Sequence, residues 1–478
     1  MKIYDRLYKK MVFPKIIYDL LDCPGLLRLK EVRMANNPFV AFPSFSTTSR
    51  YEHSLGVCYL AGICADKLRL TEKDKLELMI AALYHDVGTP PFAHAMEEVL
   101  QVKFGFDHEV NLSNLITGKT DSFDRELAQI FCGSSLKLRS VCQQESAVKL
   151  GIDVTRIAKI AIGSPEEVLS PILNSKGMDL DNIDNVFRAS TAMGILDIDG
   201  GEIAKTLAKA FVISEDRVAY DWQQYADQIL YWQKVRDLQY TAIFESTEDF
   251  AYQTMIKEAI NKLSIQDKSK IRLHKDLWRL TDHVFTYEYL LKHSKSRDIM
   301  TRVMLCKPYS CIAILYVSGK NTSKFINTHL AQIEQAASIY YDSVIYPKDE
   351  FEMSKSQLKP TSGQTLSIIA NFYPDKRKRE IDSTAIPGGG NSIPSGQEKL
   401  DAALLGLFTP HAANGYTTKL GDGGERRRIK TVFRKGNLEQ LISSLQKDIF
   451  QDYYVSVYRG DVDGKFAEDL GADQLGLF

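Results

Sequence analysis

Ala81-Ala82-Leu83-Tyr84-His85-Asp86-Val87-Gly88-Thr89-Pro90-Pro91-Phe92-Ala93-His94 is the stretch that decides the architecture. Upstream of it Leu76, Met79, Ile80 and Leu83 recur at helical spacing, and Thr71 with Asp74 supplies a helix start, so 71–84 reads as a helix. The helix runs into a His-Asp pair, and Gly88, Pro90 and Pro91 then stop it. Residues 51–69 read as a second helix just before it. Ser164-Pro165-Glu166-Glu167 predicts another helix start, with proline at the first helical position. From about 215 to 300 the pattern stays helical, with few glycines or prolines. Residues 1–300 are therefore expected to be mainly α.

Beyond 300 the texture changes. Cys311–Val317 and Thr365–Tyr373 are rich in β-branched and aromatic residues and read as strands. Leu438–Phe450 reads as a helix and Tyr453–Tyr458 as a strand. Ile381–Gln397, with Gly388-Gly389-Gly390, and Gly421–Gly424 read as loops. The expected class is a mainly α core over 1–300 with a smaller α+β region over 301–478.

With 44% hydrophobic and 25% charged residues in 478, the composition is that of a globular protein. The formal net charge of −1 gives no global field toward nucleic acid or an anionic membrane, though a local basic pocket is compatible with it. The seven cysteines form no CxxC pair, which suits a reduced, cytoplasmic protein. No stretch of about 18 apolar residues is present to span a membrane, and the N-terminus MKIYDRLYKK has no apolar run of the length a signal peptide needs.

Histidine is scarce, nine in all, yet His53, His85, His94 and His108 crowd into one short span. A single histidine in a helix is usually a hydrogen-bonded core residue. Several of them on consecutive helices, one adjacent to an aspartate, point to a metal or to acid–base chemistry. Imidazole with carboxylate suits a divalent ion: Mn, Fe, Co, Ni or Zn, with Mg also a candidate. His94 and Glu97 are spaced to share a helix face. In Leu180-Asp181-Asn182-Ile183-Asp184-Asn185-Val186-Phe187-Arg188, the residues Asp181, Asp184 and Arg188 fall on one face, and Leu180, Ile183 and Phe187 on another.

Arg50-Tyr51-Glu52-His53-Ser54-Leu55-Gly56-Val57, followed by the His85–His94 block, resembles the HD-domain deoxynucleoside triphosphate triphosphohydrolases, a family that includes the bacterial dGTPases. The resemblance covers about 25–200 and thins out toward 300. It implies a helical core in which His53, His85, Asp86 and a later aspartate hold one metal. By motif position that aspartate is Asp181, with Asp179 and Asp184 as competitors. The resemblance further implies that His94 acts at the scissile phosphate, oriented by Glu97, and that His108 is a second active-site histidine. Arg50 and Arg236 match phosphate-binding arginines, whose planar fork suits phosphate oxygens.

The implied reaction is hydrolysis of a deoxynucleoside triphosphate at the α-phosphate to nucleoside and inorganic triphosphate. An HD phosphodiesterase or phosphatase on another nucleotide, or a nucleotide-sensing module without turnover, are the competing readings. Relatives also imply a homo-oligomer and an allosteric nucleotide. The chain departs from the family pattern on the sugar side. Thr89 replaces a His or Asn, Asn185 a Tyr, Ala189 an Asp, and Met34 stands near a sugar-contacting Gln. Lys376–Arg379 and Arg426–Arg428 are basic clusters that read either as solvated runs or as anion sites, which leaves nucleic-acid binding open.

Overall fold

The helix expected over 51–69 runs Arg50–Leu68, and the one expected over 71–84 runs Glu72–Tyr84. Both begin where side chains can satisfy the first backbone N–H groups. Ser49 closes a capping box: its Oγ accepts the Glu52 N–H at 3.3 Å, and Glu52 Oε2 accepts the Ser49 N–H at 3.2 Å. Thr71 Oγ1 accepts the Asp74 N–H at 3.1 Å. In this computed structural model the described residues are 2–35, 37–119, 138, 141–175, 177–196, 198–214, 217–345, 368–374, 401–410 and 435–457. The basic clusters and the two glycine-rich loops read from the sequence lie outside them.

The Arg50–Leu68 helix packs against Glu72–Tyr84 on one side and against Leu180–Met193 on another. His53, Leu55, Val57, Leu60, Ala61, Cys64, Ile80, Leu83, Ile183 and Phe187 are buried in this core. Arg156, on the Val154–Ala161 helix, ties that layer on by donating to Glu77 at 2.6 Å and to Glu167 at 3.0 and 3.1 Å. The use of Glu167 there bears on a correction. Ser164–Glu167 does not start a helix. The Glu167 N–H returns to Ser164 O at 3.1 Å as a turn, and the next helix is only Ser170–Leu173. Pro171 sits in the first turn of that short helix, where its missing N–H leaves no bond unmade.

Two short hairpins escaped the sequence reading. β1 (Ile3–Asp5) pairs antiparallel with β2 (Lys9–Met11), and β3 (Phe211–Ser214) with β4 (Arg217–Tyr220). The span 215–300 is also less uniformly helical than its pattern suggests. Helices Trp222–Glu245 and Thr247–Lys262 fill the first part, but 264–281 holds only the 3₁₀ turn Lys275–Arg279 before short helices resume at Asp282.

The described residues fall into two compact units. One holds 2–240 with Ile256–Cys306; the other holds Thr241–Met255 with the described residues from Lys307 on. In the second unit β5 (Ser310–Gly319), β6 (Ile369–Pro374), β7 (Asp401–Thr409) and β8 (Tyr454–Val457) form one antiparallel sheet in the order β6-β7-β5-β8. Helices Thr322–Ile345 and Lys435–Asp448 cover it, burying Leu315, Val317, Ile326, Ile333, Leu405, Leu407, Leu441 and Leu445 together. This is the α+β texture expected from 301 onward. Among the described residues, no helix is long and apolar enough to cross a membrane.

Candidate active site

Three helices of the first unit bring His53, His85 and Asp181 to one point. The Nε2 atoms of His53 and His85 are 3.3 Å apart, and Asp181 Oδ1 lies 2.8 Å from the first and 3.7 Å from the second. Among the described residues these three form the group whose donor atoms could hold a metal ion. Each imidazole is oriented from behind. His53 Nδ1–H donates to Asp184 Oδ1 at 2.7 Å, and His85 Nδ1–H donates to Ala82 O at 2.8 Å. With both Nδ1 atoms occupied, both Nε2 atoms are turned toward the same point and toward a carboxylate. This is how imidazole ligands are held in metal sites, the second nitrogen fixing the tautomer. The donor set therefore fits the divalent ion implied by the sequence.

Asp86 stands beside the trio, with Oδ2 at 3.7 Å from His85 Nε2 and 3.9 Å from His53 Nε2. Its oxygens are held by Arg50 Nη1 at 2.7 and 2.8 Å, and Thr89 Oγ1 donates to Oδ1 at 2.9 Å. Arg50, expected to meet phosphate, here fastens a carboxylate of the metal motif. Thr89, a departure from the family pattern, serves the same carboxylate.

The electrostatics follow from these contacts. Burial alone would lower the pKa of His53, but hydrogen bonds to Asp181 and Asp184 overcome it and raise it to about 10. Burial would raise Asp181, yet the hydrogen bond from His53 and the nearby charge of His85 hold it well below the carboxylate range. Burial would likewise raise Asp86, and the charge of Arg50 does most to hold it down. The group is thus a pair of anions sharing cationic partners, the arrangement a divalent ion can enter by displacing protons.

Support for His53 extends further than the sequence suggested. Asp184 is fully buried and accepts from Arg188 Nε at 2.8 Å and Nη2 at 3.0 Å; Arg188 Nη1 in turn donates to Asp5 Oδ2 at 2.8 Å. Asp5 and Arg188 each keep only 2% side-chain exposure. Gly56 makes room for this chain of charges. A Cβ there would lie 2.0 Å from Asp184 Oδ2, 2.4 Å from Arg188 Nη2 and 2.8 Å from Tyr8 Cε2.

Glu97 organises a second cluster. Its Oε2 lies 3.3 Å from His94 Nδ1, and its Oε1 is hydrogen-bonded to His108 Nδ1. Burial would raise its carboxyl, but the bonds from His108 and His94 keep it low. The hydrogen bond to Glu97 raises the pKa of His108, and the charge of Asp86 adds to this, which relates the cluster electrostatically to the metal group. The His94 side chain is 66% exposed and open to a substrate. The sequence paired Glu97 with His94 alone; the structure gives it both histidines.

Arg236 is 1% exposed, packed on Trp232 and Tyr240, and donates to Asn182 Oδ1 at 3.3 Å. It stands one residue from Asp181 through Asn182 but inside the protein. Asp179 caps the Leu180–Met193 helix, accepting the Asn182 N–H at 2.7 Å. Of the aspartates that competed for the metal position, Asp179 is thereby a cap, Asp184 a support, and Asp181 the one facing the imidazoles. Asn185 is half-buried one turn on from Asp181, Ala189 is fully buried, and Met34 is half-buried.

Residues 50–143, which contain His53, His85 and Asp86, match the family model of the HD domain. The curated relatives include the deoxynucleoside triphosphate triphosphohydrolase SAMHD1 homolog of Dictyostelium discoideum, 34% identical over 117 residues (22% of this chain, 23% of that protein). SAMHD1 of Mus musculus is 35% identical over 105 residues (20% and 16%), and an uncharacterized protein of Methanocaldococcus jannaschii is 31% identical over 108 residues (23% and 22%). The chain thus spans about a fifth of the length of the curated relatives it matches. A crystal structure of a hypothetical protein from Aquifex aeolicus has a similar fold, with a TM-score of 0.56 and 19% identity over 86% of this chain and 96% of that one. The likeness in sequence to an HD domain and to the dNTP triphosphohydrolases is confined to part of the chain.

Proposed function

We propose that the protein is a metal-dependent phosphohydrolase that cleaves deoxynucleoside triphosphates at the α-phosphate, giving deoxynucleoside and inorganic triphosphate. The observation that carries this reading is the convergence of His53 Nε2, His85 Nε2 and Asp181 Oδ1, with each imidazole fixed through its other nitrogen. A divalent ion held there, with Asp86 as fourth ligand, would supply charge neutralisation for the phosphoryl oxygens and acidify a water.

The remaining work falls to side chains. His94 moves a proton at the scissile phosphate, and Glu97 holds its ring in place. Glu97 also favours the charged form of His108, which suits that ring to donate to a phosphate oxygen. Arg50 holds Asp86 and faces the incoming phosphates with the rest of its fork, whereas the buried Arg236, expected to bind phosphate, acts instead by holding Asn182 beside Asp181. A homo-oligomer, a regulatory nucleotide, a cytoplasmic location and a catalytic role for 1–300 with regulation from 301–478 complete the reading.

One observation favours a second reading. Asn185 and the buried Ala189 offer little to a sugar hydroxyl, which would also suit an HD phosphodiesterase or phosphatase acting on another nucleotide. The deciding experiment is incubation with each dNTP and NTP in Mn²⁺, Mg²⁺ or Co²⁺, with products separated by ion exchange. Inorganic triphosphate is the expected product. Monophosphate or orthophosphate would replace the first reading by the second, and no turnover under any condition would leave a nucleotide-sensing module.

A further inference from the structure

We infer that Asp282, braced by Arg28, is a positioning residue that holds the His94–Glu97–His108 cluster in register with the His53–His85–Asp181 group. The inference rests on the proposed phosphohydrolase reading, in which the two clusters must act on one phosphate.

The loop that joins the clusters, residues 87–93, is an unfavourable piece of backbone. Phe92 and Ala93 have φ of 55° and 43°, a region that non-glycine residues seldom occupy without support. Ala93 is also the residue from which the His94–Phe104 helix departs, and no side chain caps that helix. The support comes from far along the chain. Asp282 Oδ1 accepts the Phe92 N–H at 2.9 Å. The other oxygen of the same carboxylate, Oδ2, accepts the Arg33 N–H at 2.9 Å.

Arg33 leads to the first cluster. It forms a β-bridge with Ser49, the capping residue of the helix that carries Arg50 and His53, and the Arg50 N–H bonds Val32 O at 2.9 Å. One buried carboxylate thereby grips the backbone that feeds the metal ligands and the backbone that feeds His94.

Arg28 locks the carboxylate's own segment to the same loop. Its guanidinium donates to Val87 O at 3.0 Å and Thr89 O at 2.6 Å, just past His85-Asp86. It also donates to Trp278 O at 3.2 Å and Leu280 O at 2.8 Å, just before Asp282. Phe92 adds an edge-on ring contact with Phe285 at 6.2 Å. Arg28 and Asp282 are 3% and 8% exposed, so water does not compete for these bonds. Neither side chain is among the metal-group donors; both act through the loop.

The test uses Asp282→Ala and Asp282→Asn, with Mn²⁺ as the probe ion. In the Ala variant Mn²⁺ affinity should stay at the wild-type value. Amide exchange at Phe92 and Arg33 should quicken, and Mn²⁺ broadening of the His94 ring signal should weaken. The kcat should fall by roughly 10²-fold with KM unchanged, the scale expected when a reacting group is displaced by about 1 Å. Asn keeps one carbonyl acceptor and should recover part of kcat, which also covers an Ala variant that does not fold. Wild-type broadening of His94 in the Ala variant would overturn the inference. So would loss of Mn²⁺ affinity in step with kcat, which would make Asp282 a support of the whole site rather than of its register. A wild-type chain that binds Mn²⁺ but hydrolyses no nucleotide would sink the proposed function, while the broadening and exchange would still decide the role of Asp282.

Discussion

Gly56→Ala is expected to damage both stability and metal binding, although it replaces glycine by the best helix former in the middle of a helix. On an open helix surface the change would stabilise by about 1 kcal/mol. Here the added methyl would sit 2.0 Å from Asp184 Oδ2 and 2.4 Å from Arg188 Nη2. Neither group can swing away cheaply. Asp184 is held by His53 Nδ1 at 2.7 Å and by Arg188 at 2.8 Å, and Arg188 is held by Asp5 at 2.8 Å. Making room means breaking this buried pairing, a loss of about 3–5 kcal/mol when one partner of such a pair is lost. The net expectation is destabilisation by about 2–4 kcal/mol, the helix gain set against the broken pair. Metal affinity should fall by about 10–100-fold, the usual effect of disturbing the group behind an imidazole ligand. Urea denaturation gives the first quantity and Mn²⁺ titration the second. A Gly56→Ala protein at least as stable as wild type, with undiminished Mn²⁺ affinity, would refute the claim that Asp184 and Arg188 hold His53 in place.

His94→Ala should retain Mn²⁺ and lose about 10²-fold or more in kcat, the range for a general acid–base group; unchanged kcat would remove His94 from the chemistry. His108 should titrate above the ordinary value of about 6.5, because Glu97 stabilises its charged form. Its contribution to folding is then complete below the unfolded value and disappears as pH rises through the elevated folded value. NMR titration of the ring should show this, and Glu97→Gln should bring the midpoint down; a midpoint that ignores Glu97→Gln would contradict the pairing. Discrimination against 2′,3′-dideoxynucleotides should be weak, since Ala189 is fully buried and Asn185 is the polar group left beside Asp181. Comparison of kcat/KM for a dNTP and its dideoxy analogue tests this, and a preference of about 10⁴ or more for the 3′-hydroxyl would show an intact sugar site.

What was legible in the sequence was local. Thr71 as a cap, the apolar spacing of Leu76, Met79, Ile80 and Leu83, and the glycine and prolines after Asp86 all act within a few residues, so the helices could be read with ends close to those observed. His53, His85 and Asp181 were legible because each sits in a dense block of distinctive residues. The helical spacing of Asp181, Asp184 and Arg188 showed that they share a face, but not that Asp184 takes the Nδ1 of His53 while Asp181 meets the Nε2 of the same ring.

The pairings of Asp5 with Arg188, and of Asp282 with the backbone of Phe92 and Arg33, join residues far apart in the chain and leave no periodic trace. A lone aspartate beside Thr281 reads as an ordinary helix start. The Ser164 segment misled because its cap signal is genuine, while its carboxylates are used elsewhere, Glu167 by Arg156 and Glu166 by Lys159.

The ladder from Asp5 through Arg188 and Asp184 to His53 also changes what counts as the smallest working piece of this protein. The segment that matches the HD domain begins at residue 50 and ends at residue 143. A fragment cut to those limits would keep His53, His85, Asp86, His94, Glu97 and His108, yet it would lack Asp181 and everything that steadies His53 from behind. It would also lose Arg28 and Asp282, which fasten the loop between the two clusters. The unit matched by the family model is therefore smaller than the unit that gathers and steadies the candidate metal donors, and the first hairpin, remote in sequence from every histidine, belongs to the latter.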